Sequence, residues 1–285
     1  MTKPARTVVV ALSDTHAGSR KGLMPPDVLL LDDTGPEPRT WTPTPTQMQR
    51  WLWGCYVQDM ADVVELAGRA PIVLIHNGDM TQGNHYPEAC VSTRVADQLA
   101  IALANIEPWY ALRNLRSVVL VQGTGAHEFG EGSAAVTLAA ELGKRYRKPR
   151  TITTLHGLLN VDGARIDVAH HGAGPGGRAW LTGNELRYYT RSLMLDEITR
   201  GNKPPAVVLR AHYHSGVHET VRVGGHATEA FVLPAYCGLT HYATQVTRSA
   251  YLLSCGLVAL VFEGGRLVDA QTFWRTLDLR QEVAV

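Results

Sequence analysis

Cysteine is scarce in this sequence. Its four copies, Cys55, Cys90, Cys237 and Cys255, are widely scattered, and none forms a Cys-x-x-Cys pair. That excludes a zinc ribbon and a thioredoxin-like redox motif, and it fits a reducing compartment. A surplus of charge is also missing: 27 Lys and Arg stand against 26 Asp and Glu, a net charge of +1. A strongly basic nucleic-acid protein is therefore not indicated, although a local basic patch stays open. No apolar run approaches the ~18 residues of a membrane span. The run Val8–Leu12 is too short for a signal sequence and leads straight into Asp14 and His16. The expectation is a cytoplasmic protein with no membrane partner.

What is present is ordinary globular composition, with 45% apolar residues, 27 Gly and 15 Pro. Collagen, coiled coil and wholesale disorder are excluded. At 285 residues a single domain buries roughly 75% of the surface exposed by its unfolded chain. No metal is needed merely to fold it, so metal ligands can be read as serving chemistry.

Strand and helix signals alternate through the first half. Thr7–Leu12, Ile72–Ile75 and Val118–Val121 are short β-branched runs that predict buried strands. Gln47–Gly68, Pro87–Leu112 and Ser133–Arg147 carry helical spacing. Residues 19–45, with six prolines, read as an inserted loop long enough to act as a lid. The second half is richer in hairpins. Asp162-Gly163, Gly224-Gly225 and Gly264-Gly265 each separate two strand-like runs, and a helix is expected over Trp180–Thr199. There is no internal repeat and no linker. The expectation is one domain over 1–285, of α/β class, with two packed sheets and outer helices.

Chemistry collects where these strands end. In order come Asp14-Thr15-His16, Asn77-Gly78-Asp79, Gly123-Thr124-Gly125-Ala126-His127-Glu128, His170-His171-Gly172 and His212-Tyr213-His214. The C-terminal ends of strands in an α/β sheet share one edge, where ligands bind. Residues two apart on an extended chain point the same way, so Asp14 with His16, and His212 with His214, could reach one ion. A carboxylate such as Asp79 can bridge two cations that polarise a phosphoryl group and activate water. Imidazole and carboxylate without thiolate suit Mn²⁺, Fe or Zn²⁺. A single strand-terminal histidine is ordinarily structural, but five such ends in order are not coincidence. His76, His156, His226 and His241 stand alone and read as structural or surface residues.

This ordered set resembles the calcineurin-like metallophosphoesterases, whose pattern is Asp-x-His, Gly-Asp, Gly-Asn-His-Asp/Glu, a His, then Gly-His-x-His. The resemblance spans residues 14–214. It implies a four-layered α/β/β/α sandwich, with two packed mixed sheets flanked by helices, and a centre for two divalent metal ions, with Mn²⁺ favoured. Asp14, His16 and His214 would hold the first metal, Asp79 would bridge, and His212 with either His170 or His171 would hold the second. His127 would serve the scissile phosphate as acid or positive partner, with Glu128 orienting its ring. Two positions depart from the pattern. Ala211 replaces a glycine, a small change, and Ala126 replaces the asparagine that binds the family's second metal. Thr124 or Asn84 could compensate. Sequences with Gly-Thr-x-Ala-His at this point are similar to those of phage and prophage proteins.

The activity so implied is hydrolysis of a phosphate ester, a phosphodiester in particular. A non-catalytic binding module with a crippled second site, or a hydrolase of a non-phosphate substrate, would carry the same residues. Asn84 and His85, on the loop leaving a metal-bearing strand, and Arg178, after the His170-His171 pair, are candidate substrate contacts. Lys144, Arg145, Arg147, Lys148 and Arg150 could track a nucleic acid, or could simply be cations favoured at a helix C-terminus.

Overall fold

A computed structural model describes residues 5–130, 132–176, 178–239, 252–280 and 282–283; His241 lies outside the described residues. The elements in order are β1 (Arg6–Leu12), β2 (Leu30–Asp32), β3 (Arg39–Trp41), α1 (Gln47–Ala67), β4 (Ile72–His76), α2 (Val95–Tyr110), β5 (Leu115–Val121), α3 (Ser133–Arg145), β6 (Arg150–Thr154), β7 (His156–Val161), β8 (Ala164–Ala169), α4 (Asn184–Thr199), β9 (Val207–Arg210), β10 (Val217–Val223), β11 (His226–Val232), β12 (Leu252–Glu263) and β13 (Arg266–Asp278).

Two mixed sheets form. The first has the order β13-β12-β1-β4-β5-β6, and the second β10-β11-β9-β8-β7. β1, β4, β5 and β6 run parallel, as do β8, β9 and β11, so their C-terminal ends gather along one side. Strict alternation explains the layers. Val9, Ala11, Val73, Ile75, Val119 and Val121 face the second sheet and meet Ile166, Val168, Val207, Leu209 and Phe231. The intervening Val8, Val10, Leu12, Leu74, Val118 and Leu120 face the other way, into a core with Leu52, Ile101, Trp109 and Leu138 from α1, α2 and α3. Strands covered on both faces read as continuous apolar runs, the signal seen in the sequence. α4 covers the outer face of the second sheet through Leu186 against Val208, Ala230 and Val232. The four layers are α/β/β/α, as expected.

Details differ from expectation for local reasons. The helix expected from Pro87 is a 3-10 turn, Pro87–Ala89, followed by α2 from Val95. The helix expected from Trp180 begins at Asn184, after Gly183 with φ 86°. α1 starts where Thr46 and Gln49 cap one another, Gln49 N donating to Thr46 Oγ1 (3.1 Å) and Thr46 N to Gln49 Oε1 (2.9 Å), worth ~1 kcal/mol. Residues 19–45 hold the small β2–β3 hairpin and anchor Leu23, Met24 and Leu30 in the core, so this segment is bound down rather than a free lid. β6 was not expected. It follows directly on the basic run, whose charges mask its Thr-Ile-Thr-Thr strand signal.

Candidate metal centre

Both sheets contribute to one polar cleft. β1 runs into Asp14 and His16, β4 into Asp79, β5 into Thr124 and His127, β8 into His170 and His171, and β9 into His212 and His214. The turns are tied together by their own backbones. Asp14 N donates to Gly78 O and His16 N to Asp79 O, each at 3.0 Å. Within the second sheet Ala211 N donates to His170 O (2.9 Å), and across the sheets Asn77 Nδ2 donates to Ala169 O (3.1 Å) and His212 N to Asp14 Oδ2 (3.3 Å).

The common aim of Asp14 with His16 does not come from extended backbone. Asp14, His16, Asp79, His212 and His214 have φ of 51°, 42°, 49°, 77° and 52°, all in the left-handed region. Such positions are uncommon for residues with a Cβ, and strained ones cost on the order of 1–3 kcal/mol, with Asp and His at the cheaper end. Gly78, φ 98°, is required by closeness as well: a Cβ there would lie 2.3 Å from His170 Nδ1.

Ligand atoms converge at two ends of the cleft. At the inner end, His16 Nε2 and His214 Nε2 face one another at 3.1 Å, and Asp14 Oδ1 lies 3.7 and 3.4 Å from them. At the outer end, Thr124 Oγ1 lies 3.2 Å from His212 Nδ1 and 3.4 Å from His171 Nε2. Asp79 stands between, its Oδ1 accepting from Thr124 N (2.6 Å) and its Oδ2 from Thr124 Oγ1 (3.2 Å). The adjacent histidines divide their tasks. His170 is buried, donates from Nδ1 to Asn77 O (2.7 Å) and points Nε2 at Asp79 Oδ2 (3.1 Å) and Asp14 Oδ1 (3.9 Å). His171 is exposed and turns toward His212, ring centroids 4.5 Å apart.

The donor set fits divalent cations. Four groups of three residues each place one ligand atom per residue within 4.8 Å of the others: His16, His214 and Cys237; His170, His171 and His212; His16, Asp79 and His127; and Asp14, Asp79 and His170. Asp14 Oδ1 and His170 Nε2 are buried without a hydrogen-bond partner, the latter 3.1 Å from Asp79 Oδ2. Burial alone would raise the Asp14 and Asp79 carboxyls, but His170 and the neighbouring imidazoles outweigh it and hold both well below the usual carboxylate range. Burial would likewise lower His170, yet Asp14 and Asp79 push it up to about 9. His16 is lowered to about 4, by burial and then by His127, while burial and His170 lower His171 and His212. Two buried carboxylates thus face one buried imidazole, and the unpartnered Asp14 oxygen and His170 nitrogen are polar atoms that a cation would satisfy.

The remaining candidates fall as follows. His127 packs edge-on against His16 (centroids 4.5 Å) and donates from Nδ1 to Gln82 O (2.6 Å). Glu128 does not orient it. That carboxylate is buried and accepts from Gly123 N (2.7 Å) and Ala135 N (3.1 Å), fastening the Thr124 turn to α3. Ala126 is exposed. Asn84 is exposed and accepts from Gln98 Nε2 (3.1 Å); His85 packs on Tyr86, and Arg178 lies over Trp180 at 5.2 Å. His85 belongs to none of the four groups. His76 is buried behind the cleft, 3.0 Å from Thr15 Oγ1, and His156 faces Asp167 on the surface. The basic run lies at the opposite edge, since Arg150 pairs with Ser117 at the start of β5; Lys144 pairs with Glu141 and Arg145 with Glu107. Cys237 escaped the sequence reading. Its signal was position alone, since it follows β11 on the same edge as the other strand ends.

No family model matches the chain, and no curated protein matches it. Among solved structures, the sulfate thiohydrolase SoxB of Thermus thermophilus, in complex with glycerol, is similar over 98% of this chain, with a TM-score of 0.38 and 13% identity. This chain spans 58% of that one. A Thermotoga maritima protein solved by NMR, TM1076, is similar over 60% of this chain and 87% of its own, with a TM-score of 0.31 and 14% identity. No helix among the described residues is long and apolar enough to cross a membrane.

Proposed function

We propose that the chain is a metal-dependent phosphoesterase acting on phosphodiesters. The observation that carries this reading is the convergence of Asp14, His16, Asp79, His170, His171, His212 and His214 from two sheets into one cleft, with Asp14 Oδ1 and His170 Nε2 left unpartnered. Asp14, His16 and His214 would hold one divalent cation, His170, His171, His212 and Thr124 would surround the other, and Asp79 would reach both. A cation pair of this kind polarises phosphoryl oxygens and brings the pKa of water toward neutrality.

The chain's own groups supply the rest. His127, its Nδ1 fixed by the Gln82 carbonyl, would present Nε2 to the leaving oxygen. Thr124, two residues before the alanine that replaces the motif's asparagine, directs its hydroxyl at Asp79 and His212. Exposed Asn84, His85 and Arg178 are the proposed contacts to the outlying parts of the substrate, a nucleic acid among the candidates.

The test is a Mn²⁺-supplemented assay with bis-p-nitrophenyl phosphate, p-nitrophenyl phosphate and single-stranded DNA in parallel, with carboxyl esters and amides as counter-substrates. Diester cleavage that chelation abolishes is the expected result. Cation binding without any hydrolysis would make the chain a binding module. Turnover confined to the counter-substrates would make it a hydrolase of another class.

A further inference from the structure

The expectation of Mn²⁺ rested on ligands without sulfur, and the structure changes that premise. Cys237 Sγ lies with the ring nitrogens of His16 and His214, each ligand atom within 4.8 Å of the others. The thiol is 1% exposed. Its loop is fastened from both sides: Gly22 bridges Cys237, Gly238 N donates to Lys21 O (2.8 Å), and Leu233 N to Arg210 O (2.8 Å). The Sγ donates weakly to Gly238 O at 3.3 Å and also meets the Ser19 side chain. A second observation points to the same place. Asp14 Oδ1 is fully buried, has no hydrogen-bond partner and lies 3.4 Å from His214 Nε2 and 3.7 Å from His16 Nε2. His16 and His214 thus share a thiol on one hand and an orphaned carboxylate oxygen on the other. The other cysteines, Cys55, Cys90 and Cys255, belong to none of the four groups.

We propose that Cys237 joins His16 and His214 as a ligand of the inner cation, making this end of the centre selective for a thiophilic divalent ion, Zn²⁺ or Fe²⁺, over Mn²⁺. Thiolate selects the softer ions, whereas a carboxylate-rich set accommodates Mn²⁺. The thiol loses its proton to water as the ion binds, and no change of oxidation state is involved. The proposal rests on the metal-centre reading above, and it differs from that reading in what it expects of the sulfur.

Cobalt is the probe. One equivalent of Co²⁺ added to the metal-free full-length chain should give an intense near-ultraviolet thiolate-to-cobalt band, absent in Cys237→Ser. The Zn²⁺-to-Mn²⁺ affinity ratio of the inner site should fall at least about tenfold in that variant. X-ray absorption of the zinc-loaded natural protein needs no variant and should show one sulfur at ~2.3 Å beside nitrogen and oxygen at ~2.0–2.2 Å. Cobalt or zinc bound without a sulfur contact overturns the proposal and leaves the phosphoesterase reading standing. A sulfur contact without phosphodiester cleavage does the reverse. Failure to bind any divalent ion removes both.

Discussion

The two ends of the cleft are made by the same pair of sheets, yet they are not equivalent. At the inner end Asp14, His16 and Cys237 are buried, and the first two are locked in left-handed turns. At the outer end His171 is exposed, His212 is half-buried, and the position that would carry an asparagine is an exposed alanine. Left-handed backbone holds His212 as well and His170 is buried, but the outer end otherwise depends on one hydroxyl and on the exposed His171, whereas the inner end is held in place before any ligand arrives. Preorganisation removes the cost of ordering at the moment of binding. The inner end should therefore bind first and tightly, and the outer end should be the exchangeable one.

Asp79 is where the two ends meet, so its loss should erase the difference altogether. Asp79→Asn is expected to reduce hydrolysis below about a tenth of wild type, because a neutral amide bridges two cations poorly. The thermal midpoint should confirm that the chain still folds. Activity above that level would count against a two-cation centre. The next largest effect belongs to His127. Replacing it by alanine should lower kcat by ~10²–10⁴ with cation content unchanged, and the loss should shrink for a good leaving group such as p-nitrophenolate. Loss of an ion from the variant would place His127 among the ligands, consistent with its nearness to His16 and Asp79.

Thr124→Val tests the outer end alone. The shape is kept and the hydroxyl removed, so the weaker Mn²⁺ event in a calorimetric titration should weaken about ten- to a hundredfold, with the tighter one unmoved. Equal losses at both events would show the two ends to be one unit. The smallest effect is expected from Ala126→Asn, which restores the motif's letter on an exposed turn. It should leave both Mn²⁺ affinities unchanged. A tightening of the outer event would show that the turn can swing its side chain inward.

Much of this was legible because each strand announces itself twice, by an apolar run and by the polar residues that stop it. Val8–Leu12 followed by Asp14 and His16 is such a case, and so is Val207–Leu209 followed by His212 and His214. Other features were not. The periodicity of a strand predicts that Asp14 and His16 share an aim for the wrong reason, because a single positive φ leaves no trace in residue type beyond a mild preference for Asp, Asn and His. Glu128 was paired with His127 by adjacency, but a carboxylate beside an unfilled helix start finds backbone N–H groups first. Cys237 lies 23 residues after His214 in the numbering, and only the pairing of β11 with β9 brings it back to the cleft.

The interdigitated seam between the sheets has one more consequence. Asp14, His16, Asp79, Thr124 and His127 hang from one plate, and His170, His171, His212, His214 and Cys237 from the other. How far the jaws stand apart is thus decided by filler that touches no ion. At the mouth of the seam that filler is the small pair Ala11 and Ala211, both fully buried. The residue at 211, a methyl larger than the glycine of the motif, acts as a shim. Thickening it further would open the jaws with every ligand still in place, and the damage would register as a changed choice of ion rather than as a lost one.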